Sequence, residues 1–168
     1  MEREELRAAQ APLKERYKGE PEAAVVTLAA SGELGEGISC SVQSGHAIVA
    51  AGLHPASGGD GSLLCSGDML LEALVACAGV TLRAVATSLG IEVESGTVRA
   101  EGELDFRGTL AVDREAPVGF SAIRLCFELD TDADQEQLDT LLKLTERYCV
   151  VFQTIASPPH LSATLETA

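Results

Sequence analysis
A single α+β domain built on a largely antiparallel sheet is the fold class this sequence predicts. Three observations predict it. Short strand-like and helix-like runs follow one another as βββ-α-ββ-α-β, without the strict alternation of a parallel α/β fold. The chain has 168 residues, enough for one core without disulfide staples. One long helical run, Ser66 to Leu89, is apolar around almost its whole circumference and therefore belongs at the centre.

Residues 1–22 read as an N-terminal helical arm, charged and helix-prone, with Pro12 a break within it and Gly19–Pro21 ending it. Residues 23–168 form the domain. Its first three strand-like runs are Ala24–Ala29, Ile38–Gln43 and Ala47–Leu53, expected to share one sheet. The turn SGELGEG joins the first pair as a hairpin, SGH joins the second, and HPASGGDGS is a loop.

The central helix follows, with Ser66 as its N-cap, Asp68 in its first turn and Gly90 just past its end. Beyond Asp68 its only charges are Glu72 and Arg83, roughly 20° apart in helical phase. One chain of this size has too little surface to hide such a helix, so a second copy is the expected cover. Two strand-rich segments come next, Glu92–Phe106 and Gly119–Leu129, joined by the loop GTLAVDREAP. A second helix starts near Asp132–Asp134 and carries Leu138, Leu142, Thr145, Cys149 and Phe152 on one stripe until Ser157-Pro158-Pro159 ends it. A last short strand, Leu161–Leu165, closes the order.

Composition excludes several classes of function. Twelve basic residues against 26 acidic ones give a net charge of −14, which repels phosphate backbones and anionic headgroups. With 4% aromatic residues and no Trp, stacking platforms for bases are not expected either. Neither nucleic acid nor membrane is therefore an expected partner. The opening MEREELRAAQ has no apolar secretory core, and no apolar run is judged to approach membrane-spanning length. Five cysteines form an odd set without a CxxC pair or a tight Cys/His cluster, so neither a disulfide framework nor a zinc site is expected. These features point to a cytoplasmic protein with reduced thiols and no cofactor or metal.

Chemistry, if any, rests on the thiols. Cys77 and Cys149 lie on apolar helical stripes, where a cysteine can equally be a small buried hydrophobe. A reactive thiol needs a cation or a helix N-terminus beside it. Cys77 is mid-helix, and Cys149 falls in the C-terminal half of its helix, where the dipole opposes a thiolate. Cys40 and Cys126 fall in strands as core residues, and Cys65 precedes the helix cap as an accessible thiol. His54 could line a site, whereas His46 and His160 flank strands. GGDG is a turn without a phosphate-loop context.

The segment GGDGSLLCSGDMLLEALVACAG resembles the central-helix cysteine region of the OsmC/Ohr family, and TERYCVVFQTI resembles that family's second cysteine region. The order and spacing of elements match over residues 24–166. The resemblance implies an OsmC-like fold, antiparallel sheets wrapped around two central helices in an intertwined homodimer. It implies an antioxidant thiol peroxidase: Cys77 attacks an organic hydroperoxide to give a sulfenic acid, Cys149 resolves it as a disulfide, and a dithiol reduces the pair. Asp68 stands near the family's acidic site residue. The sequence departs from the pattern in three places. The loop ASGELGEG lacks the family's arginine, Asp68 replaces a Glu and points about 180° away from Cys77 on an unbroken helix, and Val150 replaces a Pro. A substitute cation is expected from Lys14, Arg16 or Lys18 of the arm, or from Arg83 of a second copy, since Arg83 is about 240° from Cys77 on its own helix. The competing reading is a non-catalytic OsmC-like dimer that binds an apolar small molecule. A metal-dependent hydrolase is disfavoured because no carboxylate/His set has ligand spacing.

Overall fold
The arm and the first strand set the frame in the computed structural model, which describes residues 3–34, 40–42 and 51–165. Helix α1 (Arg3–Gly19) runs unbroken through Pro12. The break expected there does not form: Pro12 and Ala8 are both exposed, so the carbonyl that Pro12 cannot bond faces solvent. A 3-10 turn over Pro21–Ala24 leads into β1 (Val25–Leu34), which pairs antiparallel with β2 (Cys40–Val42) and with β5 (Ser95–Asp105). The strand takes in Ser31–Leu34, assigned to the turn by sequence, because β5 is long enough to pair with it through Glu33↔Thr97. The rest of the SGELGEG turn lies outside the described residues.

Strand β6 (Phe120–Asp130) completes a four-stranded antiparallel sheet in the order β2-β1-β5-β6. The third run does not join this sheet within its described part. Ala51–Gly52 (β3) instead pairs parallel with Leu64–Cys65 (β4), a two-stranded ladder at the entrance to the central helix. The tail also departs from expectation: Leu161–Leu165 forms no strand, and Leu161 and Leu165 are 83% and 87% exposed. The sheet edges are β6 and β2, and the segment pairs with neither.

Period-two alternation sets the faces of the sheet. Val98 and Ala100 of β5 face inward, level with Phe127 and Leu125 of β6, while Glu101 and Glu103 face outward. The Arg124 guanidinium bridges both outward carboxylates. Cys126, opposite Arg99, is on this outer face and exposed, not in the core as its apolar neighbours suggested.

Helix α2 (Ser66–Leu89) lies on the inner face and has the bounds the sequence predicted. Its cap is Cys65 rather than Ser66; the Cys65 sulfur accepts the Gly67 amide at 3.4 Å. Gly90 takes the left-handed conformation, φ 69°, that ends the helix. Leu71, Leu74, Val75 and Ala78 pack with Val98, Ala100 and Cys149, and Leu82, Val85 and Ala86 pack with Ile91, Val93 and Leu141. By length and composition α2 is apolar enough to cross a membrane, contrary to the expectation for any run in this chain. Here it is the central core helix, with Leu71, Val75 and Ala78 fully buried.

After a short helix α3 (Phe106–Thr109), the chain returns through β6 to α4 (Gln135–Tyr148), opened by an Asp134–Gln137 capping box. Helix α4 turns Leu141 and Thr145 to the core and leaves Leu142 45% exposed, a stripe rotated from the one expected. Helix α5 (Val150–Ala156) follows after one residue. Because Ala78 has no exposed surface, Ala78→Asp should destabilise the fold by several kcal/mol, on the order of the cost of a buried unpaired ion. Arg124→Ala, on the exposed outer face, should leave stability nearly unchanged. Urea denaturation of both variants gives the comparison, and equal losses would contradict this assignment of faces.

Candidate functional site
One residue divides what sequence periodicity reads as a single helix. Cys149 has extended backbone angles, φ −71° and ψ 109°, and caps α4 at its end and α5 at its start. Its own amide still bonds the Thr145 carbonyl at 2.9 Å, and its carbonyl accepts the Gln153 amide at 2.9 Å. Between these two bonds the ladder is interrupted, which frees the first three amides of α5. Phe152 donates its amide to Cys149 Sγ at 3.4 Å, and the amides of Val150 and Val151 lie close enough to Cys77 Sγ to favour negative charge on it.

Cys149 therefore stands at two helix ends: the C-terminus of α4 opposes a thiolate there, as the sequence led one to expect, and the break adds the N-terminus of α5, whose free amides favour negative charge. The break also brings the two predicted cysteines together. The Cys149 thiol is a hydrogen-bond partner of Cys77 Sγ, and the Thr81 hydroxyl is another. Cys149 is fully buried, and Cys77 is half-buried at the edge of the same cluster.

The two sulfurs are tuned in opposite directions. Burial pushes the Cys77 thiol up, but the Val151 amide, the Cys149 thiol, the Val150 amide and the Thr81 hydroxyl together outweigh it, and its pKa falls below the ordinary thiol value. Burial pushes Cys149 up to about 11, offset in part by the Phe152 amide and reinforced by the neighbouring Cys77. Among the described residues no cation is among the groups acting on Cys77. Within the chain, Arg16 pairs with Glu20 and Lys18 with Glu15, both on the arm itself. Arg83 Nη1 donates to the Val93 carbonyl at 2.5 Å. Glu36 and the side chain of Glu33 lie outside the described residues.

Asp68 is not among the groups acting on Cys77. Burial raises its pKa, and its electrostatic partner is His54, whose charge opposes that rise. Glu72 beside it is raised too, by burial and then by Asp68. His54 accepts the Ala56 amide on Nδ1 at 3.0 Å and stacks on Phe106, with ring centroids 5.0 Å apart. This second polar cluster stands under the arm, where the Tyr17 hydroxyl donates to the Ala56 carbonyl at 2.8 Å. Among the described residues no group of three or more His, Cys, Asp or Glu side chains is arranged to hold a metal ion. His160 is exposed, while His46 and the side chain of Cys40 lie outside the described residues. Sequence reasoning missed the amides of Val150 and Val151, which carry no side-chain signal, and Thr81, whose position four residues after Cys77 could have revealed it.

A family model described as OsmC-like protein matches residues 59–164. The fold is similar to a solved OsmC-like hydroperoxide resistance protein from Jannaschia sp. CCS1, with a TM-score of 0.62 and 15% identity over 86% of this chain and 95% of that one. It is also similar to an OsmC-like protein from Mycoplasma pneumoniae, with a TM-score of 0.56 and 15% identity over 80% of this chain and 86% of that one. Among curated proteins none matches the sequence.

The opposite tuning of the thiols has a direct readout. With iodoacetamide and mass-spectrometric localisation, Cys77 should be alkylated at lower pH than an ordinary thiol, because its proton leaves earlier. Cys149 should stay protected until the pH approaches about 11. Alkylation of Cys149 ahead of Cys77 would reverse the assignment.

Proposed function
The chain belongs to the OsmC-like family, and on that premise we propose that it reduces organic hydroperoxides with Cys77 and Cys149 as a redox pair. The observation that carries this reading is the contact between two sulfurs of opposite tuning, one poised to lose its proton and one holding it. The Cys77 thiolate attacks the terminal peroxide oxygen, the O–O bond breaks, and the alkoxide takes a proton to leave as an alcohol. Cys77 is then a sulfenic acid. Cys149 attacks its sulfur, water leaves, and a disulfide joins the two residues. A dithiol returns both to thiols and is itself oxidised to a disulfide. Such a cycle suits a reducing compartment, and we assign the protein to the cytoplasm.

The same reading makes the chain one half of an intertwined homodimer. Met69, Leu70, Val80 and Leu89 of α2 are left exposed, although they are large and apolar. The edge strand β6 is flanked by two apolar grooves of about 490 and 410 Å³. A second copy covering these faces resolves both features. A second function is favoured by the first groove alone, which Leu70, Leu74, Phe120, Ile123, Phe152 and Ile155 line. There the protein would bind an apolar small molecule without turnover.

Consumption of an alkyl hydroperoxide with a dithiol present separates the two functions. Cys77→Ser should abolish consumption, and Cys149→Ser should allow one turnover and leave a sulfenic acid that a dimedone probe traps. Wild-type protein that binds an apolar fluorescent dye but consumes no peroxide would establish the second function instead. Sedimentation at micromolar concentration should give a dimer, and Val80→Lys should weaken it. A stable wild-type monomer would remove the dimer from the proposal.

A further inference from the structure
One mooring of the N-terminal arm passes through Ala56, and a histidine holds that residue in place. Pro55–Ser57 forms a 3-10 turn with His54 as its N-cap. The Ala56 carbonyl accepts the Tyr17 hydroxyl at 2.8 Å, and the Ala56 amide donates to His54 Nδ1 at 3.0 Å. Accepting that amide takes a free lone pair on Nδ1, so the imidazole is neutral with its proton on Nε2. The same ring stacks on Phe106, which packs with Tyr17 and Ala56 beneath the arm. An Asn or Ser cap would accept the amide at any pH near neutrality. A histidine cap does so only without its second proton. We infer that His54 is a pH-sensitive latch for the arm: a second proton turns Nδ1 from acceptor to donor, sets it against the Ala56 amide, and loosens the turn that holds Tyr17. The seated arm then binds fewer protons than the released one, so its stability falls as pH falls through the range where imidazoles ordinarily protonate, about 6–7.

The charges around the turn fit such a change. Asp68 on α2 couples electrostatically to His54, with Glu72 beside it, so a protonated ring has a carboxylate to turn toward. On α1, Arg16 and Lys18 are paired with Glu20 and Glu15, and Lys14 is half-buried. On α3, Arg107 is held by Asp105 and Asp113. The His54 carbonyl accepts the amides of Ser57 and Gly59 whatever the charge on its ring, so the turn loosens without dissolving.

Tyrosine fluorescence of the full chain tests the latch, because the sequence has no Trp and only two Tyr. In a Tyr148→Phe background Tyr17 is the sole emitter, and Tyr148 is 59% exposed on α4, away from the turn. Acrylamide should quench Tyr17 poorly at about pH 8 and about tenfold more efficiently at about pH 5, within what one linked proton can deliver over that span. His54→Asn keeps an acceptor for the Ala56 amide and does not titrate, so quenching should stay low at both pH values. If that variant fails to fold, nitrogen NMR of His54 in the wild-type chain replaces it: Nδ1 should take its proton over the pH range in which Tyr17 becomes accessible. Quenching that does not change with pH would overturn the latch. So would an equal change in His54→Asn, which would place the titration on another group such as Asp68, or protonation of Nδ1 outside the range of the Tyr17 change. Loss of the whole circular-dichroism signal at about pH 5 would also overturn it, since the opening would then be global and not confined to the arm.

Discussion
The candidate site depends on one break in a helical ladder, at Cys149, which frees the first amides of α5 beside two sulfurs. The break at Cys149 leaves the amides of Val150, Val151 and Phe152 without helical partners. The Phe152 amide finds Cys149 Sγ, and Cys77 packs against the same cluster, which sets α5 beside α2. The requirement of the backbone and the tuning of the thiols are thus one interaction seen from two sides. Neutral sulfur is a weak acceptor, and a thiolate is a strong one. Amides act on both sulfurs, and burial decides between them: it keeps the proton on the fully buried Cys149 and is outweighed at the half-buried Cys77.

The central helix and the paired strands β5 and β6 were legible because their signals are local and repeated. Ser66 to Leu89 carries a long apolar pattern closed by Gly90, and β5 and β6 alternate inward and outward over eleven residues each. The break at Cys149 was not legible. Leu138 to Phe152 keeps helical spacing on both sides of it, and no Gly or Pro marks the place. The Cys65 cap escaped notice because sulfur is an unusual cap, and Ser66 beside it is a conventional one. Leu161–Leu165 has strand spacing but pairs with neither edge strand of its own chain, and no local pattern reports whether an edge is reached.

The candidate site divides in the same way. Cys77 and Cys149 were named from their segments, and the fold sets them in contact across 72 residues. Among the described residues the groups acting on Cys77 are amides, a thiol and a hydroxyl, none of which the sequence signals as a cation would. Asp68 was placed by analogy with an acidic position, yet the fold sets it with His54 and Glu72 in a separate cluster. Its own position on α2 explains this: it stands on the first turn, on the side opposite Cys77.

The arm has a structural consequence of its own. Tyr17 is 2% exposed and packs with Ala24, Phe106 and Leu110 in a cluster that shares none of its buried residues with the one around the thiols. The cluster beneath the arm thus meets the thiol cluster only through partly buried residues such as Val26 and Leu104, and fluctuations in one need not open the other. Amide protons beneath the arm can exchange with solvent through a local opening while those around the thiols stay protected. Changes that loosen or trim the arm are in this way insulated from the sulfur chemistry, which leaves the N-terminal segment free to diverge in sequence faster than the helices it rests upon.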